Sequence, residues 1–297
     1  MKRVSFLIKR NTKLFFKDKG MFFTSLITPG ILLMLYALFL SNVYRDSFIA
    51  GFPEGFLPSE ELIRGLVSGQ LISSLLAVSC VTVAFSAGFL SVQDKVNGTV
   101  KDFRISAVPS SSLSLAYYLS SLLSTLLICF VATGLCLAYV AATGWFLSVS
   151  DVLLLCLDVL LLVFFGTALS SLVNFFLSTQ GQMSAVGTVI SACYGFICGA
   201  YMPISSFGAG LRDLLSFLPG TYGTSLLRNH ALQGVLAEME AQGMPLAVTD
   251  SLRDLTDCNL YFFEHAVSVP LMYLILGGVV VLLVLAYVLL NTFKKHR

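Results

Sequence analysis

The chain has 297 residues, of which 57% are hydrophobic and only 11% are charged. An ordinary soluble domain carries about 25% charged residues, and its core could not bury this much apolar surface. The composition therefore excludes a disordered chain, a nucleic-acid binder and an ordinary soluble enzyme.

The first predicted element is an amphipathic helix over residues 2–17, within an interface segment 1–20. Apolar residues recur at helical spacing, and basic residues occupy the remaining positions. The apolar set is Val4, Leu7, Ile8, Leu14 and Phe15, and the basic set is Lys2, Arg3, Lys9, Arg10, Lys13 and Lys17. Such a helix lies in the membrane interface with its apolar face in lipid, and Gly20 is expected to end it. A simple topogenic anchor is the alternative to a helix that also contacts a partner.

Six membrane crossings are predicted after this helix. A crossing requires about 20 apolar residues, because the hydrocarbon core is about 30 Å thick. Long stretches without Asp, Glu, Lys or Arg place the crossings at about 21–43, 66–90, 113–141, 152–177, 183–207 and 268–291. The third stretch, 105–150, is long enough for one helix or barely for two.

The distribution of charge decides between one helix and two in that stretch. Both ends of the chain are rich in Lys and Arg, which are enriched in cytoplasmic loops. With six crossings and both ends inside, 13 Lys and Arg residues lie inside and 5 outside, whereas 12 acidic residues lie outside and 3 inside. The chain is therefore predicted to be a single all-α transmembrane domain, 1–297, with cytoplasmic termini. The apolar run 21–40 is too long for a signal peptide and is interpreted as an uncleaved first crossing.

The cytoplasmic loop 93–112 is predicted to contain a short amphipathic helix. Gly98 breaks the preceding helix, Thr99 can cap a new one, and Pro109 ends it. Its apolar side consists of Val100, Phe103 and Val108, and its charged side of Lys101, Asp102 and Arg104. We expect the apolar side to enter a groove on another protein. The alternative is a loop that lies on the membrane surface.

Residues 208–267 are predicted to lie outside, as half-helices that enter the membrane without crossing it, followed by an acidic loop. Pro203 and Pro219 stand in apolar, glycine-rich sequence that turns but cannot cross. Irregular backbone at membrane depth is tolerated where protein or a wet cavity covers it. We therefore expect these prolines to shape a cap, or outer gate, over the bundle.

The sequence contains no recognised catalytic or nucleotide-binding motif. It lacks the GxxxxGK[ST] loop, so no ATP site and no cofactor are expected on this chain. It also lacks GxSxG and HExxH, and its three histidines are too far apart in sequence to suggest a metal site. None of the seven cysteines has the spacing of a metal or redox site.

Polar side chains within the predicted crossings are candidates for a substrate path. Asp158 is the only acidic or basic residue within a crossing, and a charge there is a functional candidate. Its position near the outer end also allows it to reach interfacial water. Gln70, Ser74 and Thr82 on the second crossing either line a path or form contacts between helices.

The order of these features resembles the membrane subunits of type-2 ABC exporters over nearly the whole chain. In the cytoplasmic loop this family often has an acidic residue, a Gly-Thr pair and a proline, which correspond to Asp94, Gly98-Thr99 and Pro109. After the fifth crossing it often has a proline, a Leu-Pro with an aromatic residue and an arginine, which correspond to Pro203, Leu218-Pro219, Tyr222 and Arg228. The family's loop often holds a richer Glu and Arg cluster, whereas this loop has only Asp94-Lys95.

The resemblance implies a permease that works with a separate cytoplasmic ABC ATPase, which binds ATP and magnesium, and with a second permease chain, identical or homologous. Membrane lipids are expected partners and nucleic acid is not. The residues expected to couple to the ATPase are Asp94, Gly98, Thr99, Val100, Lys101, Phe103, Arg104 and Pro109. Tyr222 and Arg228 join the two prolines in the expected outer gate.

The predicted function is export of an apolar or amphipathic substrate, such as a drug, natural product, peptide or lipid. The substrate would leave the cytoplasm or inner leaflet through a bacterial plasma membrane. Three alternatives stay open: export of a lipid-linked polysaccharide, a membrane enzyme that acts on lipid-linked substrates, and a sensor subunit.

Overall fold

The computed structural model describes residues 2–52, 58–106, 108–263 and 265–293. Helices dominate this part of the chain, and a short antiparallel hairpin is the exception to the predicted all-α class. The helices are α1 (Lys2–Lys17), α2 (Lys19–Leu35), α3 (Ser41–Gly51), α4 (Glu60–Val96), α5 (Thr99–Ile105), α6 (Ser110–Thr143), α7 (Val149–Phe176), α8 (Gln180–Ile197), α9 (Ala209–Ser216), α10 (Pro219–Ala241), α11 (Leu246–Leu255) and α12 (Val269–Phe293). The hairpin consists of β1 (Leu260–Phe262) and β2 (His265–Val267), with Tyr261 opposite Ala266.

The amphipathic helix α1 forms as predicted, but its apolar face packs on protein. Leu7 is buried against Leu113, Ala116 and Tyr117 of α6. The helix ends at Lys17 rather than Gly20, because the Asp18 carboxylate accepts the backbone N–H of Met21 and starts α2.

The first predicted crossing is longer in the structure than 21–43. α2, a π-helical segment (Tyr36–Leu40) and α3 form a continuous helical stretch, Lys19–Gly51. Within an apolar 18-residue part of this stretch, only 25% of the residues are buried within the protein. This stretch therefore lies at the periphery of the bundle.

Helix α4 is the centre of the molecule. It has 37 residues, and 83% of the residues in an apolar 18-residue part of it are buried. It packs against α2, α6, α7, α8 and α10. α7 approaches it closely at Gly166, where a Cβ atom would lie 2.9 Å from the Cys80 carbonyl oxygen and 3.0 Å from Val81 Cα. Only glycine fits at this contact.

The fifth predicted crossing, 183–207, extends ten residues beyond the helix in the structure. Helix α8 spans Gln180–Ile197, after which Gly199 adopts a φ of +76° and Pro203 precedes a 3-10 turn, Ile204–Ser206. With 18 residues, α8 is about 27 Å long, close to the thickness of the hydrocarbon core.

Among the described residues, five helical stretches are long and apolar enough to cross a membrane, and α8 is not one of them. They are Lys19–Gly51, Glu60–Val96, Ser110–Thr143, Val149–Phe176 and Val269–Thr292. The six-crossing topology therefore stays a prediction. The basic residues at 294–297 that support it lie outside the described part of the chain.

The segment after α8 is more ordered than two half-helices and a loop. α9 is short, but α10 has 23 residues and begins at Pro219. The first half of α10 is buried against α4 and α7. The sequence 220–232 therefore belongs to the bundle, although its mixed polar composition gave no sign of a buried helix.

Candidate coupling and transport site

Three helices meet at a buried carboxylate near the end of α4. Asp94 is only 5% exposed. Its Oδ2 atom accepts a hydrogen bond from Arg10 Nη1 of α1 and another from the Tyr117 hydroxyl of α6, both at 2.6 Å. We call Arg10, Asp94 and Tyr117 the coupling cluster. Burial opposes the charge of Arg10, but its hydrogen bond to Asp94 and the charge of that carboxylate raise the pKa of Arg10 above its ordinary value.

The predicted coupling helix α5 packs inward with its apolar side. Val100 and Phe103 contact the cluster formed by Leu7, Leu113 and Tyr117, and the Arg10 guanidinium carbon lies 5.2 Å from the centre of the Phe103 ring. This geometry is that of a cation–π contact. The expectation that Phe103 faces an ATPase is therefore not supported by the packing.

The outward side of α5 carries charged residues and one large apolar residue. Lys101 and Asp102 are exposed, and Ile105 is 84% exposed. Gly98 precedes the helix with a φ of +81°, which favours glycine. Thr99 is the first helical residue rather than the cap, and Pro109 directly precedes α6 rather than closing α5. The Arg104 side chain lies outside the described atoms.

The neighbouring Lys95 ties α4 to the end of α7. Its Nζ atom donates to the backbone carbonyls of Asn174, Phe175 and Leu177 at 2.7, 3.1 and 3.1 Å. A cation at the C-terminus of a helix is stabilised by the helix dipole and the free carbonyls. Asp94 and Lys95 together connect α4 to α1, α6 and α7.

A large groove with a volume of about 1140 Å³ lies between α2 and α8. α4 forms its floor through Ser86, Phe89 and Gln93. Ile27, Ile31, Met183 and Phe196 make its walls mainly apolar. Gln93 directly precedes Asp94 of the coupling cluster, so one end of the groove floor lies on the same turn of α4 as the cluster.

The four predicted path residues do not line this groove, and two of them have ordinary structural partners. Thr82 donates to the Val78 carbonyl of its own helix at 3.0 Å, which fits the helix-contact alternative. Asp158 is 1% exposed, lies 2.6 Å from His230 Nδ1 and accepts a hydrogen bond from the Tyr273 hydroxyl. It therefore joins α7, α10 and α12 instead of reaching interfacial water. Gln70 and Ser74 are fully buried on α4.

The predicted outer-gate residues gather around a buried ion pair. Arg228 is 1% exposed and donates to Asp257 Oδ2 at 2.9 Å and to the Gly199 carbonyl at 2.6 Å. Asp257 also accepts the backbone N–H groups of Ile204 and Ser205, directly after Pro203. The turn after α8 is thus held to α10 by charge-assisted hydrogen bonds.

Tyr222 and Pro219 shape the start of α10 beside this ion pair. The Tyr222 hydroxyl donates to the Ser216 carbonyl at 2.6 Å. Pro219 occupies the first turn of the helix, where its missing N–H costs nothing. These two residues fix the connection between α9 and α10.

A model of the ABC-2 type transporter family matches residues 2–231. The chain belongs to this family. The match contains α1, the coupling cluster, the groove and Arg228. The protein is accordingly the permease subunit of an ABC transporter, a multi-pass membrane protein that is not itself the ATPase. A comparison with curated proteins found no match.

Sequence reasoning missed several residues of this permease's site, including Tyr117 of the coupling cluster. Arg10 stood in a run of basic residues and had no feature that separated it from Lys9 or Lys13. Asp257 stood among other acidic residues, and His230 had no visible partner. The one available signal was the buried carboxylate at Asp94 or Asp158, because a charge in such a place requires a partner.

Proposed function

We propose that this permease is the membrane half of an ATP-driven exporter for apolar or amphipathic substrates. A separate ABC ATPase supplies the energy, and a second permease chain completes the path. One observation carries the proposal: contacts run without a break from the exposed side of α5, through the coupling cluster, to the part of α4 that forms the floor of the groove.

The contacts define how motion would pass through the subunit. A displacement of α5 presses on Leu7 and Tyr117 through Val100 and Phe103. The coupling cluster transmits it to α4, and Lys95 transmits it to the end of α7. In this proposal the ATPase contacts the outward side of α5, with Ile105 as the apolar anchor, while Phe103 holds α5 to the permease.

The second permease chain is proposed to cover the groove. α8 buries only Tyr194 and Gly195 among its described residues. Large apolar side chains stand exposed on both walls of the groove, including Ile27, Ile31 and Phe196. Such faces pack against lipid or another helix bundle in a membrane. Two copies facing each other would enclose a substrate between their α2 and α8 helices.

The test is reconstitution of the permease with an ABC ATPase from the same organism. We expect the two to co-purify and ATP turnover to rise with an amphipathic substrate. Ile105→Asp should weaken ATPase association by about tenfold or more, since burying such a side chain is worth about 1.5–3 kcal/mol. The melting temperature of the Ile105→Asp permease should not change, because Ile105 is exposed. Ser106→Ala, an exposed neighbour, is the matched control.

Phe103→Ala separates the two roles on α5. It should lower the melting temperature and reduce substrate-stimulated ATP turnover, because Phe103 packs inside the permease. An ATPase that binds Ile105→Asp normally would place the contact elsewhere, and the α1 surface would be the next candidate. Absence of any substrate-dependent ATP turnover in the wild-type complex would refute the proposed function.

A further inference from the structure

Two buried polar side chains on α4 have no hydrogen-bond partner among the described residues. They are Gln70, with both its side-chain oxygen and nitrogen, and Ser74. Both are 0% exposed, and their i, i+4 spacing places them on one side of α4. Other α4 hydroxyls are satisfied within the helix, as in the bond from Ser73 Oγ to the Gln70 carbonyl at 3.0 Å.

Two tyrosines face these unpartnered groups. The Tyr36 side chain of the π-helical segment lies beside Ser74, and the Tyr44 side chain of α3 lies beside Gln70, in neither case with hydrogen-bond geometry. The two hydroxyls instead point to the carbonyls of Ala200 and Tyr201, each at 3.5 Å. That distance is the outer limit of a hydrogen bond. Four polar groups therefore converge without strong partners.

This polar set lies behind the wall of the groove. Tyr36 lines the groove, and it also lines a smaller apolar cavity of about 220 Å³ together with Leu71 and Leu75 of α4. Tyr201, whose carbonyl faces Tyr44, lines the groove as well. Movement of the Tyr36 ring would connect the groove to Ser74.

The backbone at Tyr36 is suited to such a movement. The π-helical segment Tyr36–Leu40 begins at this residue, and π-helical turns are marginal structures that occur often at functional sites. A return of this segment to α-helical winding would rotate Tyr36 relative to α4. The rotation would break a single long hydrogen bond, the 3.5 Å contact with the Ala200 carbonyl, besides part of the apolar packing around the ring.

We propose that Gln70, Ser74 and the hydroxyls of Tyr36 and Tyr44 bind the uncharged, hydrogen-bonding headgroup of an amphipathic ligand whose apolar body occupies the groove. An amide and three hydroxyls offer both donors and acceptors, which matches hydroxyl, amide or glycosyl groups. The cation that acts on both tyrosines, Arg228, is neutralised by Asp257. A charged headgroup would therefore lose its water shell without gaining a counter-ion.

This inference names the ligand class for the groove and so rests on the proposed function. Its test is equilibrium binding to the full-length permease in phosphatidylcholine nanodiscs, without ATPase or ATP. The probes are dodecyl maltoside, dodecyl sulfate and dodecyltrimethylammonium, with empty nanodiscs as the blank. We expect saturable binding of the maltoside and weaker binding of the two charged probes.

Gln70→Leu and Ser74→Ala should each weaken maltoside binding by about tenfold. They should leave binding of the charged probes unchanged. Ser73→Ala, which alters a hydroxyl already bonded within α4, is the matched control and should not change maltoside binding. The melting temperature of Gln70→Leu should stay the same or rise, because an unsatisfied buried amide is removed.

Three outcomes of the binding experiment would overturn the inference: no saturable maltoside binding, tighter binding of either charged probe, or unchanged maltoside binding in Ser74→Ala. The last decides the matter even if Gln70→Leu fails to fold. ATP-driven export is measured separately with the ATPase. Export that persists without a headgroup preference would refute the inference and leave the proposed function intact. Headgroup-selective binding without ATP-driven export would support the inference and refute the proposed function.

Discussion

At the scale of single residues, three buried carboxylates hold separate parts of the permease together. Asp94 joins α1 to α6 through α4, Asp158 joins α7 to α10 and α12, and Asp257 joins the turn after α8 to α10. A buried charge is tolerated only with partners. Each carboxylate therefore fixes the relative position of helices that apolar packing alone would allow to slide.

The coupling cluster gives a prediction at this scale. Asp94→Ala leaves Arg10 half-buried without its partner, so it should destabilise the permease by about 2 kcal/mol and uncouple ATP turnover from substrate. Tyr117→Phe removes one neutral donor and should cost about 1 kcal/mol. Lys101→Ala, at an exposed position, should stay within about 0.5 kcal/mol. Thermal unfolding and substrate-stimulated ATP turnover measure the two effects.

The control for the cluster is the double variant Arg10→Ala with Asp94→Ala. Because the two residues contact each other, the double variant should lose less stability than the sum of the single variants. Strict additivity would show that the 2.6 Å contact contributes nothing and that Asp94 acts through another group.

The pairings of these residues are beyond what the sequence can show. Arg10 and Asp94 are separated by 84 positions, and Asp158 and His230 by 72, so no local spacing connects them. The sequence does identify one member of each pair, because Asp94 and Asp158 stand against apolar runs. Periodicity correctly predicts that α1 is an amphipathic helix, but it wrongly predicts that the apolar face of α1 packs on lipid. A helical pattern shows which residues share a face, but it does not show what that face contacts.

At the scale of elements, the segment between α8 and α9 is held in place by an ion pair where a continuing helix is predicted. The predicted crossing continued to 207, but the chain leaves the helix after Ile197. The Gly199 carbonyl accepts a hydrogen bond from Arg228, and the backbone N–H groups of the two residues after Pro203 donate to the Asp257 carboxylate. Hydropathy cannot detect this change because the turn is as apolar as the helix before it.

The turn gives a second prediction. Asp257→Ala leaves Arg228 buried and unpaired, which typically costs about 3–5 kcal/mol, so the yield of folded protein should fall sharply. Pro203→Ala keeps the ion pair, and it should lower the melting temperature by only a few degrees while changing transport more than expression. Fluorescence-detected size exclusion and transport assays distinguish the two. Equal yields for both variants would show that the ion pair does not hold the turn.

At the scale of the whole molecule, contacts define two ends of the bundle. At one end, Gly65 of α4 packs closely against Phe146 and against Val235 of α10. At the other, Lys95 of α4 contacts the last carbonyls of α7. α8 begins three residues after Leu177 and ends beside Tyr201, which contacts α3 through Tyr44. The chain therefore travels along the bundle through α8, although this helix is shorter and more polar than the five candidate spans.

This path makes the side on which α10 ends the decisive test of topology. Because α10 runs beside Gly65 and Phe146 at its C-terminal half, Glu238 lies at the end of the bundle opposite Lys95 and Ser106, and the six-crossing topology places Glu238 outside and Ser106 inside. We expect Glu238→Cys to react with an impermeant maleimide in intact cells and Ser106→Cys to react only after permeabilisation, since both positions are exposed in the subunit. The physical reason is the excess of Lys and Arg at the Lys95 end, which retains that end in the cytoplasm. The parent chain, with its seven native cysteines, provides the background. A Glu238→Cys variant that reacts only after permeabilisation would contradict the six-crossing topology with this end of the bundle outside.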